Sequence, residues 1–173
     1  MPLAFIRTTE RGQTDCLLWQ FADEMQARGL RLSGVVQTNS ERPGAIASHH
    51  CDMDVRVLPD GPKIRINQVL GEEARGCRLN PAALEEAVAL VEISLDPAPD
   101  LLIINKFGKH EAEGRGFRPL IAGAMARGIP VLIGVNALNF EAFQDFAGDL
   151  AEEIPAEAAA LAVWLEQFDR QAA

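Results

Sequence analysis

The sequence is short of cysteine, of long apolar runs and of positive charge. Its three cysteines, Cys16, Cys51 and Cys77, are odd in number and scattered, which argues against a disulfide framework. No apolar run approaches the ~20 residues that a membrane helix needs. Polar residues begin directly after Ile6, too early for the apolar segment of a secretory signal. We therefore expect a cytoplasmic protein that does not insert into a membrane.

The charge balance is acidic. Sixteen Lys and Arg residues face 25 Asp and Glu residues, for a formal net charge of -9, which argues against binding to nucleic acid or to an anionic membrane surface. A local basic pocket is compatible with this balance, so a small anionic ligand stays open. With 173 residues, 48% of them hydrophobic, the chain can bury about two-thirds of its unfolded surface. We expect one domain over residues 1–173.

Short apolar runs alternate with segments of helical periodicity. The apolar runs predict buried strands at residues 3–6, 32–36, 101–104 and 131–135. Thr14 or Asp15 is placed to cap the first helix, and Gly29 is placed to end it. Asn80-Pro81 is a cap and first-turn pair for a later helix, and residues 161–168 form a last amphipathic helix. This order predicts an α/β fold, a three-layer, doubly wound, mostly parallel sheet.

One segment breaks this pattern. Around the turn Pro59-Asp60-Gly61-Pro62, apolar residues such as Val55 and Ile64 alternate with charged ones such as Asp54 and Arg65. Alternation of period two around such a turn predicts a half-exposed antiparallel hairpin. We interpret it as an insertion, at about residues 52–67, beside the parallel sheet.

The loop after the first strand is the first place to look for a ligand, because ligands of open α/β sheets bind beyond the carboxyl ends of the strands. Aligned with the phosphate-binding pattern G-x-x-x-x-G-K-[ST], this loop keeps the second glycine as Gly12 and the hydroxyl residue as Thr14. Arg7 replaces the first glycine, Gln13 replaces the lysine, and Glu10 would repel a polyphosphate. An ordinary βα turn explains the loop equally well.

The strand at 101–104 ends in Asn105 and Lys106. In phosphate-binding NTPases, a strand beside the first one ends in an acid that orients Mg²⁺, often followed by an acid that polarises water. Asparagine and lysine here weaken magnesium binding and remove the obvious general base, so we assign no catalytic residue and no metal site. Lys106, with Lys109, is a candidate replacement for the charge missing at Gln13; two solvated lysines are the alternative. We expect this strand tip and the first loop to lie side by side as a cradle.

The run from Asp100 to Lys109 resembles the D-x-h-h-h-D-E-h-G-K stretch of the thermophile-type nucleoside-triphosphatases, small P-loop proteins with an early hairpin. Over nearly its whole length, the chain more closely resembles a bacterial family of unknown function related to them and often described as encoded near molybdate-transport genes. The matching features are Cys51-Asp52-Met53-Asp54, Gly76-Cys77-Arg78-Leu79, and Asn105 to Lys109 followed by residues 111–116. The resemblance implies a P-loop NTPase-like fold with degenerate Walker motifs. Gly12 and Thr14 would be remnants of the phosphate loop, and Asn105 would replace the metal-orienting acid.

Other polar clusters have two readings each. The row His49-His50-Cys51-Asp52 offers metal ligands, but a polar loop before the hairpin is the simpler interpretation. Cys77, between two arginines, is either a reactive thiol or an inert half-buried cysteine. Glu111 and Glu113 either contact a ligand above the sheet or belong to a charged loop and helix start.

Three functional hypotheses follow. The first is a P-loop NTPase-like protein with degenerate nucleotide motifs, a non-catalytic or weak nucleotide- or oxyanion-binding accessory or sensor protein, linked to molybdate handling by resemblance alone. The second is an active nucleoside-triphosphatase, a hydrolase, that recruits Lys106, Glu111 or Glu113. The third is a protein-interaction module with an empty pocket. Nucleotide or oxyanion is the ligand class, Mg²⁺ is only weakly supported, and the sequence indicates neither a protein partner nor an oligomeric state.

Overall fold

The computed structural model describes residues 2–41, 51–68 and 79–169. In these segments the strands are β1 (Leu3–Ile6), β2 (Leu32–Glu41), β3 (Cys51–Leu58), β4 (Lys63–Arg65), β5 (Leu101–Phe107), β6 (Val131–Val135) and β7 (Ala151–Glu153). The helices are α1 (Gln13–Ala27), α2 (Pro81–Leu95), α3 (Lys109–Ala112), α4 (Arg118–Ala126), α5 (Phe140–Ala147) and α6 (Ala158–Asp169). Each helix in these segments is too short or too polar to span a membrane.

The seven strands of the described segments form one mixed sheet in the order β4-β3-β2-β5-β6-β1-β7. Strands β2, β5, β6, β1 and β7 are parallel, whereas β3 and β4 are antiparallel to their neighbours. This confirms the α/β fold, the mostly parallel sheet and the antiparallel hairpin. Strands β1 and β5 are not neighbours in the sheet, because β6 lies between them and pairs with both. All five residues of β6 are buried, and backbone pairing on both sides satisfies its polar groups.

Two apolar clusters cover the two faces of the sheet, as three layers require. On one face, α1 and α6 pack Leu18, Phe21 and Trp164 against Ile6 and Ile103. The other face carries residues of α2, α4 and α5, including Leu84, Val91, Ile121 and Phe143. Alternate residues of β1 enter opposite clusters, because successive side chains of a strand point to opposite faces. The strands that lead to the site are therefore held from above and below.

Helix and strand ends differ from the expectations in informative ways. The N-cap of α1 is Gly12, in the left-handed conformation with φ 80° and without a side-chain cap, so the prediction that Thr14 or Asp15 caps this helix is wrong. Both residues lie inside the first turn, where their side chains are free for other contacts. The cap at Asn80 is confirmed, since its side chain accepts hydrogen bonds from two first-turn amides. Gly29 follows the end of α1 with φ 88°, as predicted.

Two strands extend beyond their predicted ends, and two elements had no prediction. Strand β2 continues from Val36 to Glu41, because its second half pairs with the hairpin strand β3. Strand β5 continues to Phe107, which places Asn105 and Lys106 inside the strand and not in a loop after it. Helix α5 and the short strand β7 follow β6 without a corresponding sequence prediction.

Strand β4 is half-exposed, as predicted, with exposed Lys63 and Arg65 on either side of buried Ile64. Strand β3 departs from the prediction, because its described side chains are buried or half-buried on both faces. Asp52 and Asp54 of β3, expected to face solvent, are 8% and 6% exposed. Arg65 bridges them, with its Nη1 2.9 Å from Oδ2 of Asp52 and its Nε 3.1 Å from Oδ1 of Asp54. Lys63 adds a contact of 3.2 Å to Asp54. Buried carboxylates are tolerated here because cations on the neighbouring strand pair with them.

Candidate functional site

A cleft of about 440 Å³ opens where the β1–α1 loop, the end of β5 and the segment after β6 meet. We call it the cradle. Its lining residues are Thr8, Thr9, Glu10, Arg11, Gly12, Thr14, Asp15, Lys106, Gly134, Val135, Asn136, Ala137 and Leu138. The first loop and the tip of β5 thus share one cavity, although β6 separates their strands. The cradle lies at the carboxyl ends of parallel strands, where open α/β sheets bind ligands.

The β1–α1 loop is closed by its own hydroxyl groups. The hydroxyls of Thr8 and Thr14 are 2.8 Å apart, and the hydroxyl of Thr8 donates to the carbonyl of Glu10 at 3.2 Å. After Gly12, the 15-residue helix α1 begins at the cradle. Amides in the first turn of a helix have no intrahelical acceptor, and the helix dipole adds a partial positive charge there. The loop therefore presents the kind of helix N-terminus that favours an anion.

Gly134 explains how β5 reaches the loop across the intervening strand β6. A Cβ atom at Gly134 would lie 2.9 Å from Cγ2 of Thr14 and 3.0 Å from Oδ1 of Asn105. The missing side chain thus leaves room for Thr14 and Asn105 to lie next to each other over β6. Asn105 is 1% exposed, and neither its Oδ1 nor its Nδ2 has a hydrogen-bond partner in the described part of the chain. Buried amides rarely stay unpaired, so this one is available to a further group.

Lys106 and Asp15 form an ion pair at the wall of the cradle. Nζ of Lys106 is 3.1 Å from Oδ1 and 3.3 Å from Oδ2 of Asp15, whose side chain is 6% exposed. Nδ2 of Asn39 donates to the same Oδ2 at 2.6 Å, and Nε2 of Gln37 donates to Oδ1 of Asn39 at 2.8 Å. These contacts form a polar chain from β2 to Lys106 at the cradle wall. An ammonium has three donor hydrogens, so Lys106 can hold Asp15 and still donate to a ligand.

Asp15 is the functional candidate that sequence reasoning missed. We considered it only as a helix cap, whereas it is a buried anion paired with Lys106. The signal was present: Asp15 precedes Leu18 and Ala22 by three and seven residues, which places it on the buried face of α1. An acid on the apolar face of a helix indicates a paired or functional group.

The cradle is close to electroneutral in formal charge. Its lining carries two carboxylates, Glu10 and Asp15, and two cations, Arg11 and Lys106. Arg7 at the end of β1 pairs instead with Glu153 at 2.9 Å and lies over the ring of Phe140 at 3.8 Å. The two carboxylates therefore offset part of the attraction that the two cations exert on an anion.

Two predicted site residues do not line the cradle. Gln13 is exposed at the start of α1, and the side chain of Lys109 is 68% exposed, 3.7 Å from Glu113. Glu113 also accepts a hydrogen bond from Arg115, which holds the pKa of its carboxyl below the usual range. The structure thus brings together Gly12, Thr14 and Lys106, with Asn105 beside them.

Glu111 has a structural arrangement of its own. It is 3% exposed, its Oε2 accepts from the amide of Gly108 at 2.9 Å, and its Oε1 accepts from the amide of Phe117 at 3.0 Å. Both oxygens of the carboxylate are therefore used to close the loop between β5 and α4. This matches a helix-start role for Glu111.

The metal hypothesis falls on residues of which little is described. His49, His50 and Cys77 lie outside the described residues, as does the side chain of Cys51. Within residues 2–41, 51–68 and 79–169, no group of three or more His, Cys, Asp or Glu side chains could hold a metal ion.

Comparisons with known proteins bear on this site. A family model described as "Protein of unknown function (DUF2478)" matches residues 3–164. The chain is also 37% identical, over 152 residues, to the "Molybdenum import ATP-binding protein ModC 2" of Bradyrhizobium diazoefficiens. That alignment covers 87% of this chain and 16% of the relative. No solved structure matches the chain significantly.

Proposed function

Since this chain belongs to the family of proteins of unknown function DUF2478, we propose its function from the cradle itself: it binds a small oxyanion, or the phosphate of a nucleotide, without efficient hydrolysis. The expectation of a family of unknown function is confirmed, whereas kinship with the thermophile-type NTPases stays a prediction. We include one domain over residues 1–173 and a cytoplasmic location in this proposal.

The observation that carries the proposal is the position of Lys106. Its ammonium lies at the wall of the cradle whose floor is the start of α1, and Asp15 holds it there at 3.1 Å. A cation and first-turn amides that line one cavity are the elements that bind phosphate-like anions. Thr14 adds a hydroxyl within the same cavity. We propose Gly12, Thr14 and Lys106 as the ligand-binding residues, with Asn105 beside them.

The residues around the cradle argue against efficient hydrolysis. Asn105 stands at the position where phosphate-binding NTPases carry the acid that orients Mg²⁺. Its neutral amide contributes no negative charge to magnesium binding. Asp15, one of the two carboxylates in the cradle lining, is engaged by Lys106 and Asn39, and Glu111 accepts hydrogen bonds from two backbone amides. A general base needs a carboxylate or imidazole within reach of the attacking water. We therefore propose a sensor or accessory role, and none of these contacts favours the active NTPase.

The relative suggests which ligands to test. Its printed name couples molybdenum import with ATP binding, and the chain spans 16% of its length. We propose molybdate, phosphate, ATP and GTP as the first probes, since all present tetrahedral oxyanions or phosphates to the cradle.

The test is a pair of lysine substitutions. Isothermal titration of the wild type identifies which of the four probes binds, and Lys106→Ala is then titrated with that probe. Loss of a hydrogen bond to a charged group costs about 1.5–3 kcal/mol, so we expect an affinity that is weaker by about 10- to 150-fold. Lys109→Ala is the matched control, because its side chain is outside the cradle lining, and we expect its affinity to be unchanged.

Two outcomes contradict the proposal. One is an affinity of Lys106→Ala equal to that of the wild type for every probe that binds. The other is magnesium-dependent phosphate release from ATP or GTP at a rate well above that of the Lys106→Ala variant, which would establish the active nucleoside-triphosphatase instead.

A further inference from the structure

A second pocket, of about 330 Å³, lies beside the cradle, between the first turns of α1 and the far end of β2. We call it the Trp19 pocket. Its walls include Cys16, Trp19 and Gln20 of α1 and Gln37, Thr38 and Asn39 of β2. Its volume is near the lower limit for small-molecule sites, which suits one ring system and not a peptide segment.

The Trp19 pocket and the cradle adjoin each other. Gly12 and Asp15 line both of them. Gly12 has φ 80°, and a Cβ atom built on it would have nothing within 4 Å. The space beside this residue is therefore open, and one ligand can extend past Gly12 from the cradle into the Trp19 pocket.

The Trp19 pocket offers an aromatic wall that is already fixed in place. Cζ of Arg56 lies 4.1 Å from the centre of the Trp19 ring, and Nη2 of Arg56 is 2.6 Å from Oδ1 of Asp23. The cation–π contact and the ion pair restrain the indole, which is half-buried, before any ligand arrives. A restrained aromatic wall lowers the entropy cost of binding a flat ring.

Apart from the carboxylate of Asp15, the polar side chains of the Trp19 pocket are neutral, and hydrogen bonds orient two of them. Gln37 donates to Asn39, and Asn39 donates to Asp15, so the two amides are held by a chain that ends at Lys106. Amide and hydroxyl groups beside an aromatic wall match the flat faces and the donor and acceptor edge of a nucleobase. A bare oxyanion has no group that could use this wall.

We propose that the Trp19 pocket binds the base of a nucleotide whose phosphate lies in the cradle. This inference rests on the proposed function and narrows its ligand class from oxyanions in general to nucleotides. Trp19 stacks on the base, Gln37 and Asn39 contact its edge, and Gly12 leaves room for the sugar between the two sites.

The experiment compares ATP, inorganic tripolyphosphate and adenosine. Trp164→Phe serves as the background, because Trp164 is 1% exposed in the core and its removal leaves Trp19 as the sole tryptophan. Binding is followed by quenching of Trp19 fluorescence and by calorimetry. Stacking on an aromatic side chain contributes about a 5- to 150-fold gain in affinity. We expect ATP to bind more tightly than tripolyphosphate by this factor, with quenching for ATP and adenosine only.

Substitution of Trp19 completes the test by calorimetry. Trp19→Ala should remove the advantage of ATP over tripolyphosphate and leave the affinity for tripolyphosphate unchanged. Trp19→Phe should keep most of the advantage, and it provides a folded variant if the alanine variant unfolds.

The outcomes separate the two proposals. If ATP and tripolyphosphate bind equally, with or without Trp19, the base subsite is overturned while the cradle stands. Binding of adenosine that depends on Trp19, without binding of tripolyphosphate, molybdate or inorganic phosphate, supports the base subsite and overturns the cradle. If none of the three ligands binds, the base subsite is overturned, and the cradle is overturned as well if molybdate and inorganic phosphate also fail to bind.

Discussion

The pair formed by Asp15 and Lys106 gives a prediction that a double-mutant cycle can measure. Removing one partner of a fully buried ion pair costs about 3–5 kcal/mol, because the other charge is left without compensation. Here the side chain of Asp15 is 6% exposed, whereas that of Lys106 is 28% exposed. Water can therefore reach the pair, and we expect Lys106→Met to lower the free energy of unfolding by about 2 kcal/mol.

Removing the carboxylate of Asp15 is expected to lower the free energy of unfolding less than removing the ammonium of Lys106. In Asp15→Asn the amide can still bond to Asn39, and the Lys106 ammonium can turn to solvent, so we expect a loss of about 1 kcal/mol. In the double variant no uncompensated charge remains. We therefore expect the double variant to lose about 1–2 kcal/mol less than the sum of the two single losses.

Urea unfolding of the four proteins at pH 7 and 25 °C measures this coupling. Lys109→Met and Glu113→Gln form the matched control cycle, because Lys109 and Glu113 lie four residues apart and form an exposed ion pair. We expect a coupling below about 0.5 kcal/mol there. Additive losses at Asp15 and Lys106, within about 0.5 kcal/mol, would refute the ion pair and with it the anchored position of the lysine.

Three further predictions concern the fold around the site. Gly34→Ala should lower the free energy of unfolding, measured in urea, by more than ~3 kcal/mol, since its Cβ would lie 1.8 Å from a carbonyl oxygen of β5 and φ is 111°. Near-wild-type stability would contradict the pairing register of β2 and β5. Gly134→Ala should lower the free energy of unfolding by about 1–3 kcal/mol, because its Cβ would lie 2.9 Å from the methyl of Thr14. The same crowding should weaken anion binding; unchanged binding in calorimetry would show that Gly134 does not shape the cradle. Hydrogen bonding from Arg31 lowers the pKa of Asp100, so its contribution to stability is present above the ordinary value of 3.8 and is lost as the pH falls through the lowered pKa. The difference in free energy of unfolding between wild type and Asp100→Asn should therefore shrink below about pH 4 in acid-unfolding curves. A difference that does not depend on pH would contradict the ion pair between Arg31 and Asp100.

Local features account for what the sequence determined alone. Apolar runs, helical periodicity, the cap at Asn80 and the glycine after α1 predicted most of the elements, because each depends on residues within one or two turns. The turn from Pro59 to Pro62 predicted the hairpin in the same way. Placement of the site at the carboxyl ends of the strands also followed, since that is a property of parallel sheets.

Only the tertiary structure decided how the cradle is assembled. Lys106 and Asp15 are 91 positions apart, and their pairing depends on β6 lying between β1 and β5 with Gly134 at the crossing point. Asp52 and Asp54 became buried for a similar reason, because the strand that carries Arg65 folds against them. Strand order and the partners of buried charges are set by contacts between distant residues, which local pattern does not encode.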